Sequence, residues 1–299
     1  MKIGLMYANI RPFVQPDNFE NLVCTAEEVG IESIFTAEHV VIPQDYKTEF
    51  PYSKTGKMPS NDETVPIPDP VLPLVFAVAL TKKLRLATGM MILPQRHPLY
   101  VAKQMATLDV LSGGRAVLGV GIGWLEEEFE ALGIPFKERA ARTDESIRAI
   151  RSLWSENPCA FNGRFYKWGP VHSNPKPIQS PGLPIIIGGQ VEAAARRAAS
   201  LGDGYFWIDR DGNLEVLKKR VKTIHDECDR IGRDPEEIEV TVGIGSGSIL
   251  ERPSNVDYDT ILSYESLGIS RVVLAPPRSD KEGVQRELHD FGDRVLSKL

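Results

Sequence analysis

The strongest constraint on this chain is an alternation that runs through all 299 residues. Short apolar runs that read as strands are followed by longer stretches of helical periodicity. The strands fall at 2–8, 32–37, 84–91, 115–121, 183–189, 204–208, 237–244 and 271–275. The helices fall at 17–30, 69–81, 98–112, 124–132 with 138–154, 192–202, 213–232 and 258–268, and a last one closes the chain after 281. The ends carry their own signals. Asp17 and Gly30 bracket the first helix, and Asp69 caps the second with Pro70 at its first position. Eight strand–helix units match an α/β fold of the (β/α)8 TIM-barrel type, which needs about 250 residues without insertions. A doubly wound open sheet also alternates, but eight units in one chain of this length favour closure. The expectation is one barrel domain over 1–299 with insertions after strand 2 and before strand 5. The first insertion, 41–69, is Pro-rich, polar and aperiodic, and reads as a lid-like loop. The second, 155–182, contains FNGRFYKW, a small hairpin turning at Asn162–Gly163.

A barrel gives meaning to strand ends, because its active sites sit at the C-terminal ends of the strands. Strand 2 runs through SIFTAEHV and ends on Glu38 and His39. Alone, such a pair is a turn with one satisfied histidine. At a barrel mouth it is an acid–base candidate. Strand 3 ends in ATGMM, where Gly89 beside Met90 either admits a flat ligand to the backbone or marks a simple bulge. Strand 4 runs into GVGIGW, so Gly121 and Gly123 clear space under a ring, and Trp124 either walls that space or packs in the core. The pattern is GxGxG without an acidic ribose hook, which is not a dinucleotide fingerprint. Strand 5 ends on Gly188, Gly189 and Gln190 directly before a helix, and free N–H groups at a helix N-terminus suit phosphate. Strand 8 ends in APPRSDKE. Arg278 and the amides near Ser279 offer a second phosphate grip there, with a solvated arginine as the alternative. Strand 7 ends in GIGSGS, another loop able to approach a ligand.

Several classes are excluded. Lys and Arg number 35 against 41 Asp and Glu, a net charge of −6, where a nucleic-acid binder needs a basic face. No apolar run approaches the roughly 20 residues that span a bilayer, and MKIGLMYANI lacks the layout of a signal peptide. Cys24, Cys159 and Cys228 form no CxxC, so neither a disulfide framework nor a zinc site is expected, and a reducing cytoplasm fits. His39, His97, His172, His225 and His289 are scattered, no metal cluster is legible, and no GxSxG is present. A mouth with few acid–base groups and many glycines points to a cofactor that carries the chemistry, acting on a small-molecule substrate.

Several stretches together resemble the luciferase-like monooxygenase superfamily, the flavin and deazaflavin barrels. They include AEEVGIESIFTAEHV, LRLATGMMILPQRHPLYVAKQMATLDVLSGGRAVLGVGIGWLEEEFEALGIPF, RTDESIRAIRSLW, PKPIQSPGLPIIIGG and AARRAASLGDGYF, which span most of residues 1–210. The branch resembled most is that of coenzyme F420-dependent oxidoreductases. The resemblance implies a ring lying against a bulge at the end of strand 3, often with a non-prolyl cis peptide, here Gly89–Met90. It also implies that His39 moves a proton near the hydride carrier, with Glu38 orienting it or binding the lid. It implies a homodimer, for which Phe76 and Tyr100 are interface candidates. Two departures stand out. Trp124 replaces an acidic residue of the deazaflavin sugar-phosphate dehydrogenases, and Ile122 replaces an arginine of the luciferase alpha chain. The alternatives are an FMN-dependent monooxygenase fed reduced flavin by a partner reductase, and a non-catalytic flavin-binding paralogue.

Overall fold

The computed structural model describes residues 1–299 apart from 52, 54, 59–61, 211, 247–248 and 279. Eight parallel strands close into a barrel: β1 (Lys2–Met6), β2 (Ser33–Thr36), β3 (Arg85–Thr88), β5 (Ala116–Gly121), β8 (Ile185–Gly188), β9 (Gly204–Asp209), β10 (Glu239–Ser246) and β12 (Arg271–Leu274). Closure comes from β12 pairing with β1, where Val272 faces Ile3, and from β9 pairing with β10, where Phe206 faces Thr241. Two short strands decorate the mouth, β4 (Met91–Ile92) beside β5 and β11 (Ile249–Leu250) folded back on β10.

Alternation along each strand builds two cores. Met6, Phe35, Ala87, Val117, Ile186, Phe206 and Val273 fill the barrel interior. Their sequence neighbours Leu5, Ile34, Leu86, Leu118, Ile187 and Val272 point outward under the helices. Strands buried on both faces read as continuous apolar runs, which is why III of β8 and VVL of β12 carry no polar residue.

The helices are α1 (Pro16–Val29), α2 (Leu72–Leu80), α3 (Pro98–Ser112), α4 (Glu126–Ala131), α5 (Arg139–Ser155), α6 (Glu192–Leu201), α7 (Leu214–Ile231), α8 (Tyr258–Glu265) and α9 (Lys281–Arg294). Gly30 ends α1 in the left-handed conformation, with φ of 93°. Two starts differ from the sequence reading. Helix α1 begins one residue before Asp17, because Pro16 takes the first position after Gln15. Helix α2 begins at Leu72, and Asp69 caps it from outside by accepting from the Val71 and Leu72 amides at 2.8 and 3.2 Å.

The two insertions behave differently. Residues 41–69 hold no helix or strand among the described residues. The second insertion forms the hairpin of β6 (Cys159–Asn162) and β7 (Lys167–Val171). Its turn runs from Gly163 to Tyr166 rather than through Asn162–Gly163 alone. The buried Glu145 carboxylate causes this, gathering the amides of Arg164, Phe165 and Tyr166 at 2.8, 2.7 and 2.8 Å.

The N-terminal end of the barrel is sealed by charge. Arg271, 2% exposed, grips Glu32 through Nε and a terminal nitrogen, both at 2.8 Å, and reaches Thr241 at 3.1 Å and Glu239 at 3.3 Å. No helix among the described residues is long and apolar enough to cross a membrane, and no cluster of metal-ligating side chains occurs among them.

Candidate active site at the barrel mouth

A cavity of about 1230 Å³ opens at the C-terminal ends of the strands. Glu38, His39, Gly89, Met90, Gly121, Gly123, Trp124, Gly188, Gly189, Gln190 and Arg278 all line it. Residues spread over most of the sequence are thus brought to one mouth.

The floor is the break between β3 and β4, where the Gly89–Met90 peptide is cis. Here the glycines find their reason. A Cβ on Gly119 would collide with the Thr88 carbonyl oxygen. One on Gly121 would stand 3.3 Å from the Met90 Cβ, and one on Gly188 2.7 Å from the Met90 Cγ. Of the two glycines expected to clear space under a ring, Gly121 thus makes room first for Met90, which packs against the interior core. Gly123, at φ of 78°, adopts a backbone that side chains disfavour and lies against Phe129 and Ile92.

Of the two roles expected for Glu38, orienting His39 or binding the lid, its hydrogen bonds lie on the side of the second. Its side chain is 1% exposed and accepts from the Ile92 amide and from Arg96, whose Nε lies 2.7 Å away. Burial pushes the Glu38 carboxyl up, against the opposing pull of the Arg96 guanidinium. Arg96 also binds Asp69 at 3.0 Å. Glu38 therefore ties the floor to the far end of the long loop. Asn9 and Thr36 reinforce that end, reaching the Pro68 and Pro70 carbonyls at 3.4 and 2.7 Å.

The partner of His39 is Glu128, which the sequence reading missed. Its Oε2 lies 2.9 Å from His39 Nδ1, and the His39 side chain is 11% exposed against 0% for Glu128. Oε1 accepts from the Val40 and Val41 amides at 2.6 and 3.3 Å. The neighbouring Glu127 accepts from the amides of Lys47 and Thr48. Burial alone would raise its carboxyl, but the Thr48 side chain and these amides outweigh that and hold it at about 2. Trp124 meets three rings edge-on: His39 at 5.8 Å, Tyr46 at 5.7 Å and Phe50 at 5.1 Å between centroids. It walls the cavity and seats the loop.

Opposite lies a basic side. Gly189 and Gln190 precede α6, and the Gln190 amide pairs with the Ile208 backbone, its oxygen 2.9 Å from the nitrogen. Arg139, Arg197 and Arg210 also line the cavity, as does Arg278 in the loop after β12. Arg139 stacks on Phe136 at 3.7 Å, and its Nε is buried without a hydrogen-bond partner. Arg197 is paired with Asp144, whereas Arg278 is exposed and has no acidic partner among the described residues. Ser279 and the tip of the GIGSGS loop at 247–248 lie outside the described residues.

Comparison with known proteins places this geometry. A family model for luciferase-like monooxygenases matches residues 5–249. An uncharacterised protein of Mycobacterium tuberculosis is 30% identical over 275 residues, covering 92% of this chain and 91% of that one. The FMNH2-dependent dimethylsulfone monooxygenase of Pseudomonas putida is 36% identical over 151 residues, or 49% of this chain and 40% of that one. The solved structure of the coenzyme F420-dependent tetrahydromethanopterin reductase of Methanopyrus kandleri matches at a TM-score of 0.74 and 20% identity, covering 100% and 98% of the two chains. The barrel, the bulge at the end of β3 and the matched span agree on one conclusion: the chain belongs to the luciferase-like monooxygenase family.

Proposed function

We propose that residues 1–299 act as one catalytic domain, a cytoplasmic oxidoreductase that uses coenzyme F420 and a small organic substrate. The observation that carries this reading is the His39–Glu128 pair set at 2.9 Å on the same cavity as the Gly89–Met90 floor. The residues present suit such a group. Gly89 and Gly121 present bare backbone to the cavity, and Arg139, Arg197 and the exposed Arg278 line the same cavity, where an anion would be held. When bound, F420 supplies a two-electron hydride carrier. The chain's own residues do the rest. Gly189, Gln190 and Arg278 hold the anionic portion, Trp124 and the loop exclude water, and His39 moves the proton.

Ile122 in place of luciferase's arginine supports this cofactor. A second reading, an FMN-dependent monooxygenase supplied by a reductase, is favoured by the half-chain likeness to an FMNH2-dependent enzyme. The buried pairing of His39 argues against a non-catalytic paralogue. Absorbance titrations with F420 and with FMN test the choice. F420 should bind with a Kd at or below about 10 μM and FMN at least about tenfold more weakly. Gly189→Val, whose Cβ would press within 2.6 Å of the Ala194 Cβ, should weaken F420 binding. Binding of FMN alone would replace the first reading with the second, and binding of neither below about 1 mM would end both.

The assembly proposed is a homodimer through α2 and α3. Helix α2 is apolar all round, yet only Leu74 and Ala77 are buried. Leu72 and Tyr100 stand 69% and 73% exposed, with Phe76, Val110 and Leu111 on the same two helices. Apolar surface of this kind marks an interface. Sedimentation at micromolar concentration should show a dimer that Leu72→Glu converts to monomer, and a wild-type monomer would count against it.

A further inference from the structure

Two adjacent carboxylates of α4 reach the long loop, but only Glu128 also reaches His39. Its Oε1 takes two backbone N–H groups, from Val40 and Val41, and these are donors only. A carboxylate already engaged in this way accepts again at Oε2, so the group 2.9 Å away is best satisfied as Nδ1–H. His39 Nε2 has no hydrogen-bond partner among the described residues, and the ring lines the cavity.

We infer that Glu128 is a positioning residue that fixes His39 as its Nδ1–H tautomer, leaving the Nε2 lone pair for the substrate, and that it couples this setting to the seating of the loop. The inference deepens the proposal above and rests on His39 being the acid–base group. A neutral imidazole has one lone pair, and the hydrogen bond at one nitrogen decides which nitrogen carries it. In the other tautomer Nε2 already holds a proton and accepts nothing. For a substrate hydroxyl, the O–H bond breaks, its electron pair stays on oxygen, and the proton forms a new bond to Nε2. The ring becomes an imidazolium whose charge lies beside the Glu128 carboxylate. The coupling follows from sharing, since one side chain holds both His39 and residues 40–41. Glu127 holds residues 47–48 independently.

The test is Glu128→Gln in the full-length protein, read by nitrogen-15 NMR of labelled histidines and by turnover. Glutamine keeps the shape but offers one acceptor and one donor. The Val40 and Val41 amides claim its oxygen, so its NH2 faces Nδ1 and donates. Wild type should show Nδ1–H at His39, and Glu128→Gln should show Nε2–H. Turnover should fall by about 10²–10⁴-fold, as when a triad histidine is held in the wrong tautomer, with cofactor Kd changed less than about threefold. Glu127→Gln should leave the tautomer as it is in wild type. A wild-type ring already in the Nε2–H form overturns the inference without any variant, and so does a Glu128→Gln ring that stays Nδ1–H. The NMR result does not depend on turnover. A His39→Ala enzyme with undiminished turnover would instead overturn the role given to His39 and leave the tautomer assignment standing.

Discussion

Replacing His39 with alanine should lower turnover by about 10²–10⁴-fold, the usual worth of a positioned acid–base group. Cofactor affinity should stay within a few-fold. The groups assigned to the anionic end lie apart from His39: Gly189 and Gln190 in the turn between β8 and α6, and Arg278 in the loop between β12 and α9. Trp124 loses one edge contact but keeps Tyr46 and Phe50, so the wall should stand. Steady-state kinetics at saturating substrate, with Kd from absorbance titration, separate the two effects. Lost binding with unchanged turnover at saturation would reverse the roles.

Arg271→Ala should cost about 3 kcal/mol of stability, the lower end of the range for breaking a buried pair. The lower end applies because Glu32 and Glu239 are 23% and 36% exposed and recover some water when their partner goes. Burial would raise both carboxyls. For Glu32 the Arg271 guanidinium outweighs it, and for Glu239 Lys2 and Arg271 do, so both are held below the usual carboxylate range. Carboxyls held low in the fold contribute stability above their unfolded value, about 4.3, and lose it as pH falls through the folded one. The gap between wild type and variant in urea denaturation should therefore be full at pH 7 and narrow below about pH 4. A gap that widens in acid would refute this account. Cofactor affinity at pH 7 should be unaffected, because the ion pairs lie at the end of the barrel opposite the mouth.

The barrel was legible because its strands announce themselves twice, by apolar runs and by the caps and glycines between them. Gly30 and the Gly188–Gly189 pair fall where local chemistry demands them. The cis bond at Gly89–Met90 came from resemblance, since nothing in the residues alone distinguishes it from a bulge. Glu38 was placed correctly at the mouth, but its partner was not foreseeable. Arg96 lies 58 residues away, and no local rule joins them. Glu128 was within reach. Leu125, Glu128 and Leu132 fall at helical spacing, and a carboxylate among leucines on one face signals burial with a partner. The run EEEFE hid it among neighbouring glutamates of the same helix. The aromatic residues of the loop, Tyr46 and Phe50, gave no signal, because contacts between an aperiodic segment and Trp124 leave no period in sequence.

The seating of the 41–69 loop has an evolutionary side. The loop holds to its surroundings at separate places: backbone amides at 40–41 and 47–48 on the two glutamates of α4, ring edges on Trp124, and a far end held by Asn9, Thr36 and Arg96. Most of these hooks grip main chain rather than side chain, so they are largely indifferent to what the loop is made of. Its cavity-facing residues Met58, Val65 and Ile67 are then free to vary without disturbing the floor, the glycines or the histidine. A lineage can exchange one substrate for another by rewriting this segment while it inherits the redox machinery intact. A protein engineer can do the same by grafting loops whose length spans the same anchors.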